Sequence, residues 1–565
     1  MPPSTPLRRP PLADRSVLHN TGDWVSRWAG RRPDRPAWDD DHRRCTWAEA
    51  DDRVARLTAW LEGQSVGPGD RVALWLGNRG AFLEALFASA RLGAIALPLN
   101  ARLTPAEIAF QLDDSTPRVL LVERAWAGRA QAALAIVRAR CRILLTVGAG
   151  PEAGDPDDRD EGEDEYEQAL ASSPPSDRCE PVAPQTPLLL MYTSGTTGRP
   201  KGALLPHRKA LYNSLNAQLF FDLRARDRVL VVAPLFHSLG LQILTLPALY
   251  AGASVVLQEG FEAGRVWSTI EREGIRFFGG VPTMHQRLLD ALRAGEPFSQ
   301  IPDCLRFAFT AGAAAPVELI RAFHEHGLLM KQGYGQTETS ILTCLEPEHA
   351  LAKAGSVGRP VFHADLRIVD PATLEGPVEG WRERAVGEVG EIVVRGPITM
   401  LGYWQRPEAT AETLRGEWLR TGDLGFRDAE GDLTLVGRGR ELYISGGENV
   451  YPAEIEAVLV EHPAIAEAAV VAMPDPEWGE VGRAHVVMHE DGAASEADLH
   501  AWLQSRLARF KQPRRIVFES ALPRTASGKI QKHRLGAGAS VETAPEAESP
   551  LAAAPSPADP SLRTR

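Results

Sequence analysis

The stretch Leu188-Leu-Leu-Met-Tyr-Thr-Ser-Gly-Thr-Thr-Gly-Arg-Pro-Lys-Gly202 decides how this chain is read. Leu188 to Met191 form an apolar run of the kind a buried strand needs. Beyond it, Gly195, Gly198 and Gly202 leave backbone N–H groups uncovered. Hydroxyls at Thr193, Ser194, Thr196 and Thr197 and the cation Lys201 add further donors. A strand running into such a loop can wrap polyphosphate charge in oriented dipoles. The G-x-x-x-x-G-K-[ST] spacing of a Walker A loop is absent, so this is a different phosphate-binding device.

On the N-terminal side of the loop, strand and helix signals alternate. Trp47 to Leu61 carries apolar residues at helical spacing, Arg71-Val-Ala-Leu-Trp-Leu76 reads as a buried strand, and a helix over Ala81 to Leu92 follows. Ala94-Ile-Ala-Leu-Pro-Leu99, a helix opening near Thr104, and Arg118-Val-Leu-Leu-Val122 continue the rhythm. Such alternation predicts an α/β fold with parallel-type sheets. Residues 149–180 interrupt it with Pro, Gly, Ser and an acidic run from Asp157 to Glu167, which reads as an insertion loop.

On the C-terminal side the alternation runs from Pro187 through Tyr334, and then the strands become short. Gly390-Glu-Ile-Val-Val-Arg395 and Gly431-Asp-Leu-Thr-Leu-Val436 predict a small β subdomain. Further on, helices over Pro452 to Val460 and Glu496 to Leu507, with strands over Ala468 to Met473 and Ala484 to Met488, form an α+β unit. The predicted plan is a disordered arm over 1–15 and a large multi-subdomain N-terminal domain over 16–440. A mobile C-terminal α+β lid over 441–535 and a disordered Ala, Pro and Ser-rich tail over 536–565 complete it.

Composition narrows the function. With 44% apolar and 24% charged residues over 565 positions, the chain suits a folded globular protein of several units. A net charge of −12 argues against nucleic-acid or anionic-membrane binding, so small molecules are the expected partners. Cys45, Cys141, Cys179, Cys304 and Cys344 are scattered with no C-x-x-C pair, which suggests neither disulfide nor zinc and fits a reducing cytoplasm. Met1-Pro-Pro-Ser-Thr-Pro6 lacks the apolar core of a signal peptide, and no uncharged apolar run reaches membrane-spanning length. A soluble, cytoplasmic protein without integral membrane association is expected.

From Tyr192 to Gly202 the loop closely resembles that of the adenylate-forming superfamily of acyl-CoA synthetases, luciferases and peptide-synthetase adenylation domains. Other family signatures follow in the family's order. Gln332-Gly-Tyr-Gly-Gln-Thr-Glu338 is similar to its Tyr-Gly-x-Thr-Glu motif. The resemblance places Gly333 and Tyr334 in the nucleotide site, with Tyr334 stacked on adenine, Thr337 at the α-phosphate and Glu338 on Mg2+. An aromatic face suits a purine, and a carboxylate suits a hard cation. Gly312, Ala313 and Ala314 resemble the small-residue segment that lies against adenine. Thr421-Gly-Asp423 resembles the motif whose aspartate accepts from the ribose hydroxyls, with Arg438 as its partner.

Pro523-Arg-Thr-Ala-Ser-Gly-Lys-Ile530 closely matches the family's C-terminal motif, whose lysine enters the active site, so Lys529 is the main catalytic candidate. A carboxylate attacking the α-phosphate of ATP brings two anions together, and a cation available in the closed state offsets their repulsion. The resemblance further implies that the lid pivots at Glu441, where many relatives carry Asp, and then presents Gly446 and Gly447 for thioester formation.

The implied activity is ligation of a carboxylic acid to coenzyme A through an acyl-adenylate, using ATP and Mg2+ and releasing AMP and pyrophosphate. Pro234-Leu-Phe-His-Ser-Leu-Gly240 resembles the segment bordering the acyl tunnel, which makes His237 a gate or carboxylate neighbour. No acid lies between Ala233 and Leu246 to pair with a substrate ammonium, so an amino acid is disfavoured. Phe277-Phe-Gly-Gly-Val-Pro-Thr283, with Leu241, Ile243 and Leu244, offers an apolar lining. A fatty acid is therefore the expected substrate. An aryl acid of the coumarate or ferulate type, and a carrier-protein thiol in place of coenzyme A, are the alternatives. His324-Glu-His326 lacks further ligands and reads as helix surface.

Overall fold

Alternation along the strands sets the layers. In the strand Arg228–Val231, Val229 and Val231 point into one core cluster with the helices Gly80–Arg91 and His207–Phe221. Leu230 faces the other way, onto Val266, Trp267 and Ile270 of the helix Ala263–Glu273. The strand Arg71–Trp75 divides likewise: Leu74 joins the first cluster, while Ala73 and Trp75 pack with Ile108 and Leu112 of the helix Pro105–Ser115. Two sheets thus enclose a middle layer of helices and carry more helices outside. Strands covered on both faces read as continuous apolar runs, as parallel sheets require. The helix Gly80–Arg91 belongs to the middle layer and is buried along its whole length.

The computed structural model describes residues 20–536 except 139–142, 148–163, 194–199, 296–297, 313–314, 347–348, 354, 440, 446–447, 477, 491, 505, 508 and 525–527. The arm over 1–15 and the tail beyond Gly536 lie outside the described residues. Among the latter, one large sheet has nine strands and the other seven. In the first, Ser254–Leu257, Arg228–Val231, Phe277–Gly280, Phe307–Thr310 and Leu329–Gln336 run parallel, and the last turns back antiparallel into Ser340–Cys344. In the second, Ile95–Pro98 pairs parallel with Pro187–Thr193, which turns back antiparallel into Lys201–Pro206. Both motif loops therefore sit at hairpins where parallel sheets reverse direction.

The predicted β subdomain is a five-stranded antiparallel sheet that begins earlier than expected, at Asp365, and ends at Arg438. Residues 443–518 form a separate five-stranded sheet with its own core of Tyr443, Ile455, Leu459, Val470, Ala484 and Leu499. No helix of the described residues is long and apolar enough to cross a membrane.

Reading 149–180 as a single insertion loop requires correction. Glu165–Ser172 is a helix, capped by the Asp164 side chain, which accepts from the N–H groups of Tyr166 and Glu167. Tyr166 is buried and donates its hydroxyl to Glu84 Oε2 at 2.6 Å, while Arg53 bridges Glu84 and Glu167. Charge density that looked solvated includes an ion-pair partner that docks the helix. The part of the segment before Asp164 lies outside the described residues.

Candidate active site

Tyr334 lies near the end of the strand Leu329–Gln336 and meets a strand of the β subdomain. Its hydroxyl donates to Asp423 Oδ2 at 2.5 Å. Gln336 Nε2 donates to the same oxygen at 2.6 Å and to the Thr421 carbonyl at 2.8 Å. Across the antiparallel ladder from Asp423, Arg438 brings Nε to 3.0 Å from Oδ1. A carboxylate has about four lone-pair positions, so Asp423 can still accept from a diol. Burial and then the Asp423 charge push the Tyr334 phenol far above its ordinary range, which keeps it a donor. The Asp423 carboxylate in turn holds the Arg438 guanidinium above its usual value.

The hairpin that carries Thr337 and Glu338 depends on Gly335. A Cβ there would lie 1.7 Å from the Ser340 carbonyl oxygen, so only glycine lets the strands close. Gly333 is also confined, since its Cβ would meet the Phe309 ring at 2.7 Å. Thr337 is half-buried at the turn, and Glu338 is buried beside it.

Thr193 and Lys201 face each other across the other hairpin. Ser194, Gly195, Thr196, Thr197 and Gly198 themselves lie outside the described residues, as do Ala313, Ala314, Gly446 and Gly447. Gly312 is exposed in a left-handed conformation, φ +87°, just before the small-residue segment. The Lys201 ammonium lies 5.4 Å from the centre of the Tyr403 ring, and the Tyr403 hydroxyl donates to Glu338 Oε1 at 2.9 Å. Neither Tyr403 nor Gln336 was singled out by the sequence. Gln336 stood inside a quoted motif, whereas Tyr403 has no spacing signal at all.

Mg2+ suits this site. Among the described residues no group of three or more His, Cys, Asp or Glu side chains is arranged to hold a metal. One carboxylate, Glu338, joined through Tyr403 to the Lys201 cation, matches an ion that keeps several waters and takes further ligands from substrate phosphates.

His237 stands on the turn before a π-helical segment, Leu239–Thr245, a form that recurs at functional sites. Its Nε2 is buried without a hydrogen-bond partner among the described residues. Burial, then the positive charges of Lys529 and Arg102, lower its pKa to about 4, so the ring is neutral near pH 7. Lys529 keeps exposed surface, yet crowding by the cleft walls and then Arg438 push it below its usual value, opposed by Glu338 and Asp423. The C-terminal lysine thus lies within electrostatic reach of His237, Glu338, Asp423 and Arg438.

Residues 25–404 match the AMP-binding enzyme family, and 454–529 match the AMP-binding enzyme C-terminal domain. The chain belongs to the AMP-binding enzyme family. This AMP-binding enzyme is 41% identical over 515 residues to a feruloyl-CoA synthase from Amycolatopsis sp, covering 90% of this chain and 97% of that one. It is 34% identical over 492 residues to the long-chain-fatty-acid–CoA ligase FadD13 of Mycobacterium tuberculosis, covering 86% and 92%. The solved structure of o-succinylbenzoate CoA synthetase (MenE) from Bacillus subtilis, in complex with the acyl-adenylate intermediate OSB-AMP, matches with a TM-score of 0.79 at 31% identity, covering 92% and 98%. The adenylate-forming superfamily and the α/β fold class are as the motifs implied. The enzyme is an AMP-forming acid–CoA ligase that works with ATP, Mg2+ and coenzyme A.

Proposed function

We propose that the acid joined to coenzyme A is an aryl carboxylate, and that Lys529, Thr337, Glu338 and His237 carry the chemistry. The observation behind this division of roles is that a C-terminal lysine lies within electrostatic reach of His237, Glu338 and Asp423. A carboxylate oxygen of the acid attacks the α-phosphorus of ATP. The bond to the bridging oxygen breaks, and pyrophosphate leaves with the electron pair. Lys529 balances the charge that gathers between these anions. Thr337 donates to an α-phosphate oxygen, Glu338 would hold Mg2+, whose charge would offset that of the phosphates, and the loop from Thr193 to Lys201 takes the leaving phosphates. Neutral His237, with its unpartnered Nε2, borders the carboxylate.

Tyr334, with the Asp423–Arg438 pair, holds the adenosine against residues 312–314. After the 441–535 domain turns at Glu441, Gly446 and Gly447 face the thiol. The thiol gives its proton to solvent, sulfur attacks the acyl carbon, and AMP leaves with the electrons of the broken C–O bond.

Two observations favour an aryl over an alkyl acid. The feruloyl-CoA synthase is 41% identical to this chain and the long-chain ligase 34%. The phenylalanines expected to line an alkyl pocket are committed to packing: Phe277 stacks on Phe307 at 4.9 Å, and Phe278 faces the opposite layer beside Trp267. The test is acid-dependent conversion of ATP to AMP and pyrophosphate with coenzyme A, across fatty acids, benzoate, coumarate and ferulate. Best turnover on a fatty acid would overturn the aryl reading, and AMP without acyl-CoA would point to a carrier-protein thiol as acceptor.

A further inference from the structure

Lys209 is a buried cation in the N-terminal domain with a strange neighbourhood. It sits on the helix His207–Phe221 with 1% of its surface exposed. Among the described residues its ammonium forms no ion pair, and its hydrogen-bond partner is a neutral hydroxyl, Ser340 Oγ. The Ser340 hydroxyl in turn donates a hydrogen bond to Gln242 Oε1 at 3.0 Å. Gln242 Nε2 then reaches Met191 Sδ at 3.1 Å and Ser238 Oγ at 3.3 Å. Burial pushes the Lys209 amine well below its ordinary value, opposed by the Glu338 charge, and in either protonation state, with two or three N–H donors, at least one is left over. Burying a cation with spare donors costs several kcal/mol, and an apolar side chain of the same length would avoid that cost.

The cluster is held in place by backbone as well. Ser340 adopts a left-handed conformation, φ +59°, which a residue with a side chain seldom accepts without support. Asn213, on the same helix as Lys209, donates to the Gln242 carbonyl and accepts from the Ile341 N–H at 3.2 Å. The pieces joined are the ones that meet the reacting carboxylate. Ser238 follows His237, Ser340 lies two residues beyond Glu338, and Met191 is on the strand that enters the phosphate loop. Gln242, through Ser238 and Ser340, thus ties the Lys209 cluster to the two segments that carry His237 and Glu338.

We propose that Lys209, oriented by Ser340 and Gln242, is a specificity-determining residue that donates to an oxygen acceptor on the tail of the acid. This deepens the aryl-acid reading and rests on it. The class named is an aryl acid bearing a hydroxyl or a second carboxylate away from the reacting group. An unsubstituted ring or an alkyl chain would leave the ammonium unsatisfied.

The experiment compares kcat/KM for coumarate, for the carboxylated analogue of cinnamate and for cinnamate itself, with decanoate as the alkyl reference, in the full-length enzyme and in Lys209→Met. The wild type is expected to favour one or both oxygen-bearing acids over cinnamate by about tenfold or more, the scale of a charge-assisted hydrogen bond. Which acid wins tells a hydroxyl from a carboxylate. Lys209→Met is expected to bring the ratio to within about twofold of unity while still forming AMP on cinnamate. Ser340→Ala, which leaves the lysine in place but unguided, is expected to lower the same ratio severalfold, and it carries the test if Lys209→Met does not fold. An unchanged ratio in a folded variant, or a wild type that prefers cinnamate or decanoate, overturns the proposal. Absence of AMP with every acid would bring down the ligase reading and this one with it, a result distinct from an unchanged ratio.

Discussion

Tyr403 donates its hydroxyl to Glu338 Oε1 at 2.9 Å, and its ring lies 5.4 Å from the ammonium of Lys201. One side chain thus bridges the carboxylate suited to Mg2+ and the cation at the foot of the phosphate loop. Tyr403→Phe keeps the ring and removes the bond. A hydrogen bond to a charged group contributes about 1.5–3 kcal/mol, so apparent Mg–ATP affinity should fall roughly tenfold or more. The check is a Mg2+ titration of ATP–pyrophosphate exchange, with urea unfolding alongside. Equal saturation curves for the two proteins would show that Glu338 does not need this partner.

Lys529 lies within electrostatic reach of His237, Glu338 and Asp423. Lys529→Ala should reduce acyl-adenylate formation from acid and ATP by about two to three orders of magnitude, the cost of losing a charge-stabilising donor in a transition state. Thioester formation from supplied acyl-adenylate should stay close to wild type, because the proposed division of roles gives the lysine to the first half-reaction alone. Loss of both half-reactions in a folded variant would remove the division of labour proposed for the C-terminal domain.

Burial keeps three histidines neutral. It lowers His207 to about 3 and His285 to about 4, and it lowers His237 to about 4 with help from Lys529 and Arg102, all from an unfolded value of 6.5. Between pH 6.5 and about 4 the unfolded chain binds protons that the folded chain refuses. Their contribution to stability is therefore complete above pH 6.5 and is lost as pH falls toward 4 for His237 and His285 and toward 3 for His207. Each such group adds a slope of up to about 1.4 kcal/mol per pH unit. Urea midpoints measured from pH 7.5 to 5 should fall, and His285→Gln should fall less steeply than wild type. Parallel curves would mean that His285 takes up its proton equally well in both states.

How far the sequence carries the reader depends on where each signal lives. The helix Pro452–Val460 and the strand Gly390–Arg395 are found at the predicted bounds, because apolar spacing and a flanking Pro or Gly are local. Asp423 and Arg438 were legible as members of motifs, and the antiparallel register that makes them partners agrees. Tyr403 was not legible, since its contact with Glu338 spans 65 residues and no motif was read around it. The helix Glu165–Ser172 was hidden by composition: Glu167 counts as one more acid in a run of acids until Arg53 is seen beside it. Phe277 and Phe278 show the converse, an apolar run read as pocket lining that core packing had already claimed.

The candidate hinge residue has its own restraint. Lys532, three residues beyond Lys529, pairs with Glu441 and, at 2.7 Å, with the largely buried Glu456. Glu456 Oε1 also accepts from the Val470 N–H at 2.6 Å, which fixes it to the sheet of the same domain. With Lys529 in the cleft, the hinge carboxylate is therefore tied to the segment that delivers the lysine. Lys532→Met removes the shared cation and leaves two carboxylates facing each other, a like-charge contact that favours movement of Glu441 away from Glu456. The arrangement with Lys529 inward should lose population, so adenylation should slow by roughly tenfold, about 1.4 kcal/mol, while thioester formation from supplied acyl-adenylate stays unchanged. Lys532→Arg, which keeps the charge, should restore adenylation. Single-turnover measurement of each half-reaction separates these outcomes. Equal slowing of both halves in Lys532→Met, with no rescue by arginine, would mean that the ion pair holds the domain together and does not bias its rotation.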